Sequence, residues 1–496
     1  MTQPQEFRSG KDAVEFARRI LDLETKRIVE GYQGFINGDA PKKPVRGYYP
    51  EFSFDVERLT KPKDKARPLG YFRYKGRNAT TVSRLDSRGD YWTEQLQGLI
   101  DNNDLPVKVG LSETPIPLPY ALNEIYDLRK NVEIAGTVSD ERANDIAALF
   151  DLPEAEDHIS EMLPGSDDVP LSMYNGAMTD RSYGRIIHYT GTHPNFFQRH
   201  VLFTNYQDYI DEFRAHAKEM VSPEGQSLQD PYLAFVEPGN NVTTALDCQG
   251  HFDYVKGQTL GRAPQMPAYH LIREDGSGVS IVNIGVGPSN AKTMTDELAF
   301  LRSDAWMMVG HCAGLDNHMD IGDYIIPKGY VLRDGIMDRM MDTNIDVPDI
   351  SEINGALIRS VKKVLGVDGD DFKRVCRQGV ITTIADRNWE TPATRAELEE
   401  LTARFRRNNS AGLEMETGTI ATNGFRHKVP YGGILCVSDK PMHGVPKMPG
   451  VANTFYRERV KQQFKIAMEA IEELRLAGKD PNSRQMRSGF DWSPVL

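Results

Sequence analysis

Several short stretches place reactive or ligand-holding side chains directly after apolar runs. The first is Gly285-Val-Gly287-Pro-Ser289-Asn290-Ala-Lys292, which opens a helical pattern. Glycines here permit a tight turn and close backbone approach, and a helix N-terminus offers free N–H groups to an anion. A dinucleotide fingerprint fails because Asn290 holds the third glycine position; a Walker loop fails for want of Gly-Lys-Ser/Thr. A nucleophile elbow, Gly-x-Ser-x-Gly, is nearly met, but Pro288 precedes Ser289 and Ala291 takes the last glycine position. The plain alternative is a strand-to-helix turn with Ser289 as N-cap. The second stretch, Gly310-His311-Cys312-Ala-Gly314, brackets small or polar residues with glycines, as a flat or sugar-like ligand would require. His311 is a candidate base or an ordinary hydrogen-bonded structural histidine. The spacing of His311, Cys312 and His318 matches no standard metal site.

Further along, Ile381-Thr-Thr-Ile-Ala-Asp-Arg-Asn388-Trp389 ends an apolar run with polar groups and one of four tryptophans. Trp389 suits stacking on a purine or packing in a core. In Gly412-Leu-Glu414-Met415-Glu416-Thr, strand alternation predicts Glu414 and Glu416 on one face with Met415 on the other. Carboxylates so close repel each other unless a ligand or cation lies between them. A carboxylate facing a diol is a standard ribose holder, and Met can line its apolar side. Finally, Gly433-Ile-Leu-Cys-Val-Ser438-Asp439-Lys-Pro441 delivers a carboxyl at the end of an apolar strand. Asp439 can donate a proton to a leaving group, or serve as a turn residue ahead of Pro441.

Bringing these groups together requires a sheet whose strands end side by side. From about residue 200, apolar runs alternate with helical patterns. Strands are predicted over 201–204, 232–236, 280–286, 306–310, 323–326, 380–384 and 433–437, with helices over 208–220, 289–302 and 454–477. Continuous apolar strands are buried on both faces, as in a helix-covered α/β sheet, where ligands sit at the strand C-terminal ends. The first part reads differently. A helix is predicted over 12–30 with Gly31 as its stop, then antiparallel strands including 70–75, a helix over 91–101, and an extended segment at Pro115, Pro117 and Pro119. This indicates an N-terminal α+β domain over 1–175 and an α/β domain over 176–496.

At 496 residues the chain holds about two or three domains. Its ordinary composition excludes a collagen, an acidic disordered protein or a disulfide scaffold. No apolar run reaches the ~18–20 residues of a membrane span. Residues 1–16 lack an apolar segment of signal-peptide length, so a cytoplasmic location is expected. The four cysteines form no CxxC and are expected to be reduced and partly buried. The net charge of −12 argues against nucleic-acid binding. That average hides a tract of net +6 over 61–90 and one of net −10 over 133–168. The basic tract ends in Ala79-Thr-Thr81-Val-Ser-Arg84, a mixture of hydroxyls and cation suited to a phosphate or to a basic strand pair facing water.

Taken in order, the glycine turn 285–290, Gly310-x-x-x-Gly314 followed by Ile321-Gly-Asp323, Met415-Glu416 and Ser438-Asp439 resemble the nucleoside phosphorylase/nucleosidase superfamily. The stretches His188-Tyr-Thr-Gly-Thr192, Val201-Leu-Phe-Thr-Asn-Tyr206, Asp386-Arg-Asn-Trp-Glu390 and Leu435–Pro441 resemble its AMP nucleosidase family, and the N-terminal region resembles that family's extra domain. The resemblance implies a three-layer α/β catalytic domain with a mixed central sheet, and hydrolysis of AMP to adenine and ribose 5-phosphate. Asp439 then protonates adenine N7, next to Ser438. Glu416 holds the ribose hydroxyls over Met415, and Asn388 and Trp389 belong to the base pocket. Glu414 and Glu416 are the candidates for activating the attacking water. Gly285, Gly287, Ser289, Asn290, Gly310 and His311 line the site.

The 5′-phosphate needs cations or hydroxyls, for which Thr81, Arg84, Arg185 and Thr192 are the candidates. The resemblance also implies MgATP as an allosteric activator, phosphate as inhibitor, a homohexamer, and chemistry without a cofactor or metal. Other readings stay open. They are a purine nucleoside phosphorylase using inorganic phosphate, a serine hydrolase using Ser289, Asp439 and His443, and a non-catalytic nucleotide sensor.

Overall fold

A computed structural model describes residues 3–39, 41–61, 70–122, 140–155, 168–225, 231–245, 257–341, 346–389, 392–443 and 451–478. The described residues divide into two compact units, 3–185 and 186–478.

The first unit is a five-stranded sheet with helices. In chain order it contains β1 (Gln5–Phe7), α1 (Gly10–Ile36), β2 (Tyr48–Val56), β3 (Gly76–Thr81), α2 (Leu85–Asn103), β4 (Val107–Pro115), α3 (Leu118–Leu122), α4 (Asp140–Leu149) and β5 (Val169–Pro170). The strand order is β1-β4-β2-β3-β5, antiparallel except for the last pair. Ser9 caps α1, whose Ala13, Val14, Ala17 and Leu21 form its buried stripe. Gly31 does not end this helix. Tyr32 and Phe35 pack edge-on against Phe150, and that contact carries the helix to Asn37, whose N–H closes on Gln33. Gly31 instead admits the Val45 methyls, which would lie 3.0 Å from a Cβ there. Residues 70–75 are not a strand: neighbouring Tyr71 and Phe72 are both buried, which alternation on a one-sided sheet forbids. The helix expected over 91–101 starts earlier, at Leu85. Helix α5 (Gly176–Thr190) contains the point of division.

The second unit contains β6 (His200–Thr204), α6 (Gln207–Met220), β7 (Ala234–Glu237), β8 (Asn241–Thr244), β9 (Ala268–Ile272), β10 (Val279–Asn283), α7 (Pro288–Leu298), β11 (Ala305–Gly314), β12 (Tyr324–Arg333), β13 (Val347–Pro348), α8 (Ser351–Leu365), α9 (Gly369–Val375), β14 (Cys376–Ile384), α10 (Arg395–Arg407), β15 (Ser410–Glu414), α11 (Thr417–His427), β16 (Tyr431–Asp439) and α12 (Val451–Leu476). The strands form one mixed sheet. Strands β10, β6, β11 and β16 run parallel side by side, and β12, β14 and β15 form a second parallel group that meets them antiparallel. Gly432 and Gly433 show how closely helices cover both faces. A Cβ at Gly432 would meet Ile353 of α8, and one at Gly433 would meet Thr417 of α11. Consecutive strand residues face opposite sides, so α8 and α11 form separate layers around the sheet. Strand β11 runs past the expected Gly310 to Gly314, so His311 and Cys312 are ladder residues. Cys312, Cys376 and Cys436 are free and buried; Cys248 lies outside the described residues.

Candidate active site

The strand ends converge. In the ladder, Ala313 of β11 lies between Leu413 of β15 and Asp439 of β16. At about 4.8 Å per strand step, this sets Asp439 and the Glu414 turn roughly 10 Å apart along one edge. β6 and β10 end beside them at Thr204 and Asn283.

Glu416 is the hub. The Gly287 N–H donates to its Oε1 at 2.5 Å, and Asn205 Nδ2 donates to its Oε2 at 3.0 Å. Gly287 is the N-cap of α7 with φ 112°, and Gly285 has φ 67°. Both conformations favour glycine, and Asn283 Oδ1 holds the turn through the Gly285 N–H. The anion offered to this helix start is therefore a side chain of the protein itself. Ser289 is not the N-cap; it sits exposed one residue inside Pro288. Asn290 donates to the Val286 carbonyl within the same turn, at 3.4 Å.

Glu414 and Glu416 are close, though not through strand alternation. Strand β15 stops at Glu414, and Glu416 is already the N-cap of α11. Glu414 turns back onto that helix start. Its Oε2 accepts the N–H groups of Glu416 (2.7 Å) and Thr417 (2.5 Å), and its Oε1 accepts the Thr383 hydroxyl. Thr383 in turn accepts the Gly418 N–H at 2.9 Å, and a Cβ at Gly418 would lie 2.4 Å from that hydroxyl. Burial raises the proton affinity of both carboxyls; with the Glu414 charge beside it, Glu416 is pushed up to about 8. The oxygens of both carboxyls face protein donors, so neither stands open to water as placed here.

Ser438 donates to Asp439 and lies 3.2 Å from the Cys312 carbonyl. The His311 ring packs 4.5 Å from Tyr206 and 5.7 Å from Tyr209. At Gly310 a Cβ would crowd the Met308 methyl at 3.0 Å. Trp389 is a packed residue and not an open stacking platform. It meets Phe405 edge-on at 5.5 Å, in an apolar cluster with Leu413 against which Met415 packs. Asn388 is exposed in the turn before it. Asn205 was not singled out as a site residue, although it lies in the stretch 201–206 that carries the family resemblance, directly after the buried run 200–204.

Two residues expected at a phosphate serve the first unit's own fold. Arg84 is buried; its Nε meets Asp180 at 2.5 Å, its Nη2 donates to the Tyr120 carbonyl, and its guanidinium lies 4.3 Å from the Tyr183 ring. Thr81 accepts the Gly176 N–H. In the second unit, Thr192 is fully buried, 2.8 Å from His270 Nε2. Arg185 is half-buried on α5. The net +6 tract is partly neutralised by internal partners: Arg77 pairs with Glu51 and Asp168. Residues 62–69, and 123–139 and 156–167 around the acidic tract, lie outside the described residues. Among the described residues no group of three or more His, Cys, Asp or Glu could hold a metal ion, and no helix is long and apolar enough to cross a membrane.

Comparison with known proteins adds the following. Residues 12–166 match a family model described as the bacterial AMP nucleoside phosphorylase N-terminus, and residues 259–477 match the phosphorylase superfamily. An AMP nucleosidase of Escherichia coli (strain K12) is 37% identical over 457 residues, 91% of each chain, as is that of Escherichia coli O157:H7. Among solved structures, AMP nucleosidase from Bacteroides thetaiotaomicron VPI-5482 is 22% identical with a TM-score of 0.42, covering 60% of this chain and 99% of its own. Purine nucleoside phosphorylase from Toxoplasma gondii, in complex with immucillin-H, is 15% identical with a TM-score of 0.42, covering 59% and 97%.

Proposed function

Because this chain belongs to the AMP nucleosidase family, we propose that it hydrolyses the N-glycosidic bond of AMP, releasing adenine and ribose 5-phosphate. The observation that carries this reading is Glu416, held by the Gly287 N–H and Asn205 on the same sheet edge as Asp439. Glycosidic cleavage passes through an oxocarbenium-like sugar and needs an acid for the departing base. Asp439, steadied by Ser438, supplies the proton to adenine N7. Glu416 grips the ribose hydroxyls, and Met415 lies against the sugar with Trp389 packed behind it. Residues 1–175 form the domain that marks this family.

The family resemblance also supports MgATP activation, phosphate inhibition, a homohexamer, a cytoplasmic site of action and a place in purine salvage. The test is an assay of products from AMP in phosphate-free buffer. Hydrolysis yields ribose 5-phosphate and free adenine without added phosphate. Cleavage that requires phosphate and leaves the phosphate on C1′ would establish the phosphorylase instead. An inert AMP mixture would remove the assignment.

A further inference from the structure

The mechanism above assigns no task to Glu414, although it is buried against Glu416 and more fully hydrogen-bonded. Its two oxygens take three donors: the Thr383 hydroxyl and two N–H groups of the first turn of α11. Those N–H groups stand at the positive end of the helix dipole. Glu416 takes the Gly287 N–H and the neutral Asn205 amide, with the Met415 N–H close enough to favour its ionised form as well. Two buried carboxyls that feel each other's charge cannot both ionise at small cost, so the better-solvated one keeps the charge and the other keeps a proton.

We propose that Glu414 is a positioning residue that carries the pair's single negative charge and so keeps Glu416 protonated in the unliganded protein. Neutral Glu416 then meets a diol with one O–H donor as well as an acceptor, instead of with acceptors alone. The groups around the pair agree with this assignment. Cys312 on β11 and Tyr330 on β12 are held neutral by burial. Asp334 accepts from Thr419 of α11 at 2.7 Å, the Lys292–Asp296 pair lies along α7, and Asp439 lies across β11. None of these places a cation on Glu416.

The role rests on the proposed reaction only for its consequence at the sugar, so its test does not use activity alone. Infrared difference spectroscopy of the full chain, titrated without substrate, reports protonated carboxyl groups directly. The wild type is expected to show a buried protonated carboxyl at pH 7 that disappears in Glu416→Gln. In Glu414→Gln, an isosteric change that keeps an oxygen for the α11 N–H groups, the Glu416 midpoint falls by at least about one pH unit, tenfold in proton concentration. Thr383→Val removes one donor but leaves the charge, and lowers the midpoint by less. It also serves if Glu414→Gln does not fold. The pH profile of AMP hydrolysis moves the same way in both variants, a change that a purely structural role would not produce. Absence of the protonated carboxyl in the wild type, its persistence in Glu416→Gln, or an unmoved midpoint in the variants would each overturn the proposal. If the titration behaves as stated while AMP is untouched, only the proposed function falls.

Discussion

Replacing Arg84 by alanine separates a ligand-binding arginine from one that holds the fold. Asp180 accepts the Tyr49 hydroxyl (2.7 Å), the Ser83 hydroxyl (2.7 Å) and Arg84 Nε (2.5 Å), and both charged residues are about 2% exposed. Arg84→Ala leaves the Asp180 charge buried with two neutral donors, and removing one partner of a buried pair costs about 3–5 kcal/mol. Arg84 has φ 51°, a left-handed conformation that alanine finds equally strained, so no relief of strain offsets the loss. Arg84→Gly recovers about 1 kcal/mol of it, because glycine adopts that conformation freely. At ~2–4 °C per kcal/mol, the alanine variant lowers the melting temperature of the first unit by roughly 6–20 °C. Thermal unfolding followed by calorimetry on the full chain measures this, alongside KM for AMP at 25 °C. The reasoning is refuted if melting shifts by less than about 2 °C while KM rises, since the guanidinium would then be serving a ligand and not Asp180.

Asp439→Asn keeps the shape of the strand end but removes the proton, and kcat for AMP should drop by about 10²–10⁴ with the melting temperature nearly unchanged. Glu416 has its proton affinity raised to about 8. It therefore contributes stability that is complete below about pH 4.5 and is lost as pH rises through 8, on the order of 5 kcal/mol at most. Glu416→Gln should accordingly melt increasingly above the wild type between pH 5 and 9; a constant difference would contradict the shift. Trp389→Ala opens a cavity beside Phe405 and Leu413 and should cost about 3–5 kcal/mol in denaturant unfolding. A selective rise in KM without that loss would return Trp389 to the base-stacking role.

Much of the site was legible because its parts are local. A glycine pair that a turn demands, a carboxyl after an apolar run and two glutamates around a methionine are visible in one dimension, and their order carried the family resemblance. The individual duties were less legible, because they depend on partners far along the chain. Arg84 and a phosphate ligand look the same until Asp180, 96 residues away, takes its guanidinium. Trp389 looks the same on a purine or against Phe405. Asn205 lies in the stretch 201–206 that carried the resemblance, but its partner shows only because β6 ends beside the loop that delivers Gly287 to Glu416. Gly31 reads as a helix stop until Phe150 closes on Tyr32 and Phe35.

The amino-acid sequence by itself therefore determined the α/β character of the second unit, the strand ends at which polar and acidic groups collect, and the family. Each follows from short-range patterning of apolar runs, turns and strand-end polar groups. Only the tertiary structure decided which donors each carboxyl takes, Glu414 at the start of α11 and Glu416 at the start of α7, and that Arg84 pairs with Asp180. Charge state and availability are set by desolvation and by hydrogen-bond partners, and residues distant in sequence become partners only when the sheet brings their strand ends together.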